Sequence, residues 1–185
     1  MKLNITQLEQ QIGKQIAPLY LISGDDPILK QDAVQLIRKA ARQAGFSERV
    51  RLSAESGLDE EQLYTTLYSP SLSADKTLVE LDFRGKLPGK SVTAIVEDYL
   101  AKPSADILVL IDANKLEDTA VRSSWYKTVE KLGTVVTIWP VAREQLPQWI
   151  MQRGKKYKLT IQHDAASLLA DYVEGNLTAA TQAVE

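Results

Sequence analysis

Lys30 follows Gly24 at the interval that separates the lysine of a phosphate-binding loop from its first glycine. Such a loop cradles phosphate oxygens in backbone N–H groups, adds the lysine as a point charge and holds magnesium on a Ser or Thr hydroxyl. Gly24, Asp25, Asp26, Pro27 and Lys30 stand in the right place, between an apolar run at 19–22 and a helical pattern at 27–44. Their neighbours remove the chemistry. Leu29 occupies the position of the second glycine, so the backbone cannot wrap a phosphate without a clash. Gln31 replaces the magnesium-binding hydroxyl, and Pro27 lacks an N–H donor. Asp25 and Asp26 place negative charge where a triphosphate would lie. The carboxylates of a hydrolytic site fare no better, because Asp82 is followed by Phe83 and Asp112 by Ala113. This is a nucleotide-binding arrangement that is not expected to bind nucleotide. Taken alone, 24–27 reads as a strand-to-helix turn with a good helix cap.

Other residues capable of chemistry have simpler roles. His163 is the single histidine and precedes Asp164 at a helix start, which suits a surface or capping role better than catalysis. With no cysteine and one histidine, a structural zinc site is excluded. Asp25 and Asp26 as a catalytic carboxylate pair are better explained by capping and the helix dipole. Arg143, Arg153, Lys155, Lys156 and Lys158 read as a solvated helix face, with a weak contact to DNA backbone as the sharper alternative. Trp125, Trp139 and Trp149 lie in apolar periodic segments and are expected in cores or at a domain junction.

The elements that must position these residues are legible as alternation. Short apolar runs at 19–22, 50–52, 78–81, 107–111 and 135–138 fit strands buried on both faces. Between them lie helical patterns at 27–44, 58–67, 92–100 and 120–132. Asp26 is placed to cap the first, Pro27 suits its first turn, and Gly45 ends it. Strand and helix repeated in this way predict a doubly wound α/β sheet. After Trp139-Pro140 the pattern is helical, and the segment from 177 runs to the end without a stop signal, as in a piece of a longer protein. The expected domains are 1–140 and 141–185. Hydrophobic residues make up 44% of the 185 and charged residues 25%, an ordinary globular composition. A net charge of −2 supplies no global field toward nucleic acid or membrane. The polar N-terminus, the missing apolar span and the missing cysteine predict a soluble, cytoplasmic chain with no membrane partner.

Several segments carry a resemblance in order and spacing: Tyr20-Leu21-Ile22-Ser23-Gly24-Asp25-Asp26-Pro27, Ser69-Pro70-Ser71-Leu72-Ser73-Ala74-Asp75-Lys76, Asn114-Lys115-Leu116, Trp125-Tyr126, Gln145-Leu146-Pro147-Gln148-Trp149-Ile150 and Glu174-Gly175-Asn176-Leu177. Together they resemble the delta subunit of the bacterial DNA polymerase III clamp loader. The resemblance implies an AAA+-like (P-loop NTPase-type) parallel sheet with flanking helices over 1–140. A small helical, lid-like domain over 141–185 would follow, with a collar domain lying outside this chain. It implies no cofactor and no intrinsic activity, in a subunit of the DNA polymerase III holoenzyme that acts in DNA replication. The implied partners are the beta sliding clamp and the gamma/tau and delta prime subunits, with DNA met indirectly or weakly within the complex.

In that family a short hydrophobic plug, usually Leu-Phe, touches the clamp from the tip between the second helix and the third strand. The matching residues here are Pro70, Ser71, Leu72 and Ser73. Leu72 is the apolar one. Ser73 stands where the Phe is expected, or Leu72 stands for it with the register shifted by one, so the plug is smaller. Without the resemblance two other readings remain: an atypical P-loop NTPase or kinase-like enzyme using Lys30 and Asp82, or a doubly wound protein adaptor.

Overall fold

The computed structural model describes residues 1–53, 58–69, 75–84 and 87–185. The run Leu19–Ser23 (β2) is buried at all five positions because it lies inside a parallel sheet with helices on both faces. The other strands of the sheet are Lys2–Leu3 (β1), Phe46–Ser53 (β3), Lys76–Phe83 (β4), Ile107–Ala113 (β5) and Thr134–Thr137 (β6). The spatial order is β1-β6-β2-β5-β4-β3, with every described pairing parallel. The helices are Ile5–Ile12 (α1), Pro27–Gln43 (α2), Glu60–Tyr68 (α3), Lys90–Ala101 (α4), Asp118–Val121 (α5) and Ser124–Leu132 (α6). The expected α/β architecture is therefore present.

Side chains alternate across the sheet and give its two faces different characters. Leu19, Leu21, Val79, Leu81, Val109 and Ile111 form one apolar core with Leu63 and Leu67 of α3, Val92 and Val96 of α4, and Trp125 and Val129 of α6. The opposite side of the same strands carries Glu80, Asp82 and Asp112, and α2 lies against it through Lys30 and Arg38. Burial of the polar Glu80 and Asp82 at 7% exposure each is tolerable only because cations meet them there.

Local signals explain the helix ends. Asp59 caps α3 by accepting from Glu61 and Gln62 N–H, and Glu60 and Glu61 sit favourably at its dipole. α2 stops where Gly45 takes a φ of +91° and donates to the Arg42 carbonyl. Three features depart from the sequence expectations. First, β1 and α1 were not foreseen; α1 starts from a reciprocal capping box between Asn4 and Gln7 and buries Leu8 and Ile12. Second, the run at 50–52 belongs to a longer edge strand whose exposure alternates, because successive side chains point to opposite faces and only one face is well covered. Third, the pattern at 120–132 is two helices, since Ser123 swings to an extended conformation and restarts the chain as α6.

The chain divides into two units, Met1–Asp25 with Leu29–Ile138, and Asp26–Ile28 with Trp139–Glu185. The second contains a single turn of 3-10 helix, Arg143–Gln145, then Leu146–Lys156 (α7), His163–Val173 (α8) and Leu177–Val184 (α9). Leu146, Ile150, Ala166, Leu177 and Ala180 are buried and form its apolar centre. Trp125 is buried as expected, whereas Trp139 is 62% exposed, a correction to its expected burial. β6 has already ended at Thr137. Among the described residues no helix is long and apolar enough to cross a membrane.

Candidate functional site

In an open parallel sheet, ligands bind outside the carboxyl ends of the strands where the chain order reverses. Here that point is the end of β2, which has β5 on one side and β6 on the other. The loop from Gly24 sits there. Gly24 is required by space: a Cβ would come 2.5 Å from Ile138 Cβ and 2.8 Å from the Ile138 carbonyl oxygen. The glycine thus lets β2 and β6 converge at the Ser23 carbonyl, which accepts from Ile138 N–H at 2.8 Å.

Polar bonds then tie the strand ends to one another. Ser23 Oγ donates to the Asn114 carbonyl and accepts from Leu116 N–H, both at 3.2 Å. Asp25 Oδ1 accepts from Lys115 N–H at 2.9 Å, so this carboxylate anchors the segment after β5. Asn114 Nδ2 donates to the Arg84 carbonyl, joining the ends of β4 and β5. Asn114, Lys115 and Leu116, which carried part of the sequence resemblance, are here the partners of the loop after β2.

Lys30 settles what the loop can do. It lies in the first turns of α2 and is 6% exposed. Its Nζ donates to the Ala113 carbonyl at 2.8 Å and lies 2.7 Å from Asp112 Oδ1. The hydrogen bond is aligned; the approach to Asp112 is a charge contact. The ammonium is thus turned inward under the sheet, and its charge is met by a carboxylate of the chain itself. Leu29 beside it is also buried, so the residue in the second-glycine position is part of the packing.

A chain of ionic contacts continues from Asp112. Arg84 Nε lies 3.6 Å from Asp112 Oδ2 and donates to Asp82 Oδ1 at 2.8 Å. Arg84 N–H reaches Asp82 Oδ1 at 3.2 Å, Arg84 Nη2 contacts Oδ2, and Arg51 Nη2 donates to Oδ2 at 2.9 Å. The hydrogen bonds from Arg84, helped by Arg51, hold the Asp82 carboxyl well below the usual carboxylate range although burial opposes this. Two positions along β4, Arg38 grips Glu80 through both oxygens at 2.7 and 2.8 Å, which raises the arginine further above its ordinary value. Asp82, in the carboxylate position of the lost hydrolytic site, is therefore committed to arginines.

Of the residues singled out from sequence, Asp25 and Lys30 meet the end of β5, and Gly24 meets Ile138 just after β6. Pro27 is the first residue of α2. The tip residues Pro70, Ser71, Leu72 and Ser73 lie outside the described residues. His163 opens α8 on the surface, with Ser167 Oγ donating to its carbonyl at 2.8 Å. Among the described residues no three His, Cys, Asp or Glu side chains are grouped to hold a metal ion. The arginines of the site were missed by sequence reasoning. Alternation along β4 would have placed Glu80 and Asp82 on one face, but nothing in the sequence says which cations meet them.

Fold and site together define an AAA+-like module in which the lysine of the phosphate loop is bonded to the sheet. Solved structures share the fold. The Bacillus subtilis DNA clamp loader delta protein superposes with a TM-score of 0.70 at 17% identity, over 97% of this chain and 55% of that one. A Thermotoga maritima RuvB Holliday junction branch migration motor gives a TM-score of 0.60 at 14% identity, over 97% and 56%. The chain belongs to the family of the DNA polymerase III delta subunit, whose model matches residues 20–138. The DNA polymerase III delta subunits of Escherichia coli K12 and Haemophilus influenzae are 28% and 26% identical, each over 97% of this chain. It spans about half of their length, 52% and 53%.

Proposed function

We propose that this chain is the clamp-engaging portion of a DNA polymerase III delta subunit, which binds the beta sliding clamp and helps open it for loading on primed DNA. It does so without hydrolysing ATP; that chemistry belongs to neighbouring clamp-loader subunits of the gamma/tau type, and its other neighbour is delta prime. The observation that carries the reading is the Lys30 ammonium, buried and bonded to Ala113 and Asp112 where a triphosphate would require it free. Phosphate binding at this loop would have to break that pair and expose Asp112 to a second anion.

The clamp contact falls to Pro70, Ser71, Leu72 and Ser73. What leads to them is a surface suited to a protein partner. α3 ends at Tyr68, and Ser69 leaves it in an extended conformation. Tyr64 and Tyr68 stack at 4.6 Å between ring centroids and remain 56% and 40% exposed on the last turns. Exposed aromatic surface of this kind is enriched at interfaces. A leucine buried in a partner's pocket contributes roughly 1.5–3 kcal/mol. If the pocket is better formed in a distorted ring than in a closed one, that difference shifts the ring toward opening.

Calorimetric titration of the chain against the sliding clamp tests the reading, with Leu72→Asp and ATP as separate titrations. Clamp binding that Leu72→Asp abolishes, and no heat from ATP, is the expected result. Absence of clamp binding together with saturable ATP heat overturns it in favour of an atypical NTPase using Lys30.

A further inference from the structure

Glu80 and Asp82 are each held by more cations than they need. Glu80 is satisfied by the bidentate grip of Arg38, yet Arg49 Nε also lies 3.4 Å from its Oε1. Asp82 is satisfied by the side chain and N–H of Arg84, yet Arg51 also bonds its Oδ2 at 2.9 Å. The second arginine of each pair lies on the edge strand β3, and both are half exposed, at 50% and 54% of the side chain. Among the described residues four guanidiniums thus face Glu80 and Asp82, with Asp112 also 3.6 Å from Arg84, which concentrates positive charge on one ridge of a chain whose net charge is −2.

We propose that this ridge, Arg49 and Arg51 on β3 steadied by Glu80 and Asp82, binds the phosphodiester backbone of a DNA strand. Arg38 on Glu80 and Arg84 on Asp82 already give each buried carboxylate one cation, so charge balance alone does not call for the second arginines. Charges on an edge strand discourage strand addition, but that role does not need them tethered. Tethering lowers the entropy lost when a guanidinium meets a ligand, and the five N–H donors of the fork serve a phosphate as well as the carboxylate already bound. Residues two apart on a strand share a face at ~6.6 Å, a step comparable with that between successive phosphates of an extended strand. Phosphate is favoured over an acidic peptide because the chain belongs to the family of a DNA polymerase subunit. The inference does not depend on clamp binding.

Fluorescence anisotropy of labelled oligothymidylate, and of a duplex of equal length, titrated with the chain at several salt concentrations provides the test. Binding is expected to fall on the order of tenfold in Arg49→Ala/Arg51→Ala. The log–log salt slope should shrink by about 1.4, or ~0.7 for each single-strand phosphate that is no longer neutralised. Lys155→Ala/Lys158→Ala, on the basic stretch of the second unit, should bind as the parent does. The arginine variant keeps Arg38 on Glu80 and Arg84 on Asp82 and should fold; Arg49→Gln/Arg51→Gln, which keeps much of each stem, must show the same loss. The proposal fails if the parent binds neither oligonucleotide at low salt, or if the arginine variants bind like the parent. Binding to polyglutamate in place of DNA overturns it too, and would assign the ridge to an acidic peptide.

Discussion

Replacing Lys30 by Met tests the central feature of the site, the inward-facing ammonium. Methionine keeps a straight apolar stem of similar length in the buried path of α2, so packing changes little. What disappears is the charge contact to Asp112 and the hydrogen bond to the Ala113 carbonyl. Removing one partner of a fully buried ion pair costs about 3–5 kcal/mol. Two features of the structure lower that figure: the Asp112 side chain is 24% exposed, and Arg84 stands 3.6 Å from its other oxygen. The expected loss is therefore about 2–3 kcal/mol. With a urea slope of about 2 kcal/mol per M, the unfolding midpoint followed by circular dichroism should fall by ~1–1.5 M. Lys30→Met/Asp112→Leu should recover most of the loss, because an apolar pair often replaces a buried ion pair without penalty, giving a coupling above ~1 kcal/mol. A Lys30→Met stability within ~0.5 kcal/mol of the parent, or additive effects in the double variant, would refute an inward-locked lysine.

Two further perturbations follow from the same strand ends. Gly24→Ala drives a methyl group into the Ile138 Cβ and carbonyl, so a loss of about 1–3 kcal/mol and a lower thermal midpoint are expected; an unchanged midpoint would show that β6 yields freely. Asp82→Asn removes a carboxylate whose folded-state pKa is depressed, chiefly by Arg84, and such a group contributes stability that is complete above its ordinary value of about 3.9 and is lost as pH falls below it. The variant should be less stable at neutral pH and lose less of its remaining stability than the parent between about pH 4 and 2; parallel acid melting curves would refute the assignment.

Much of the fold is local and was legible. The runs at 19–22, 78–81 and 107–111 became the inner strands β2, β4 and β5 because continuous burial demands continuous apolarity, a property written into adjacent residues. Pro27 and Gly45 bracket α2 for equally local reasons. The capping box of α1 was also readable, since Asn4 and Gln7 have its spacing, but an eight-residue helix with a two-residue strand before it offers too little periodicity to stand out.

The disarmed phosphate loop divides the same way. Leu29, Gln31 and Pro27 declare by residue type that phosphate chemistry is gone, because glycine, hydroxyl and N–H are requirements of the loop itself. Where the Lys30 ammonium goes instead could not be read, because Asp112 and Ala113 lie on β5, far along the chain, and reach it only once α2 is laid across the sheet. The pairing of Glu80 and Asp82 with arginines from β3, α2 and the end of β4 has the same origin. Sequence periodicity shows that charged residues share the covered face of β4. Which cations neutralise them, and that β3 takes the sheet edge with Arg49 and Arg51, is decided by strand order, a property of tertiary packing that no local pattern encodes.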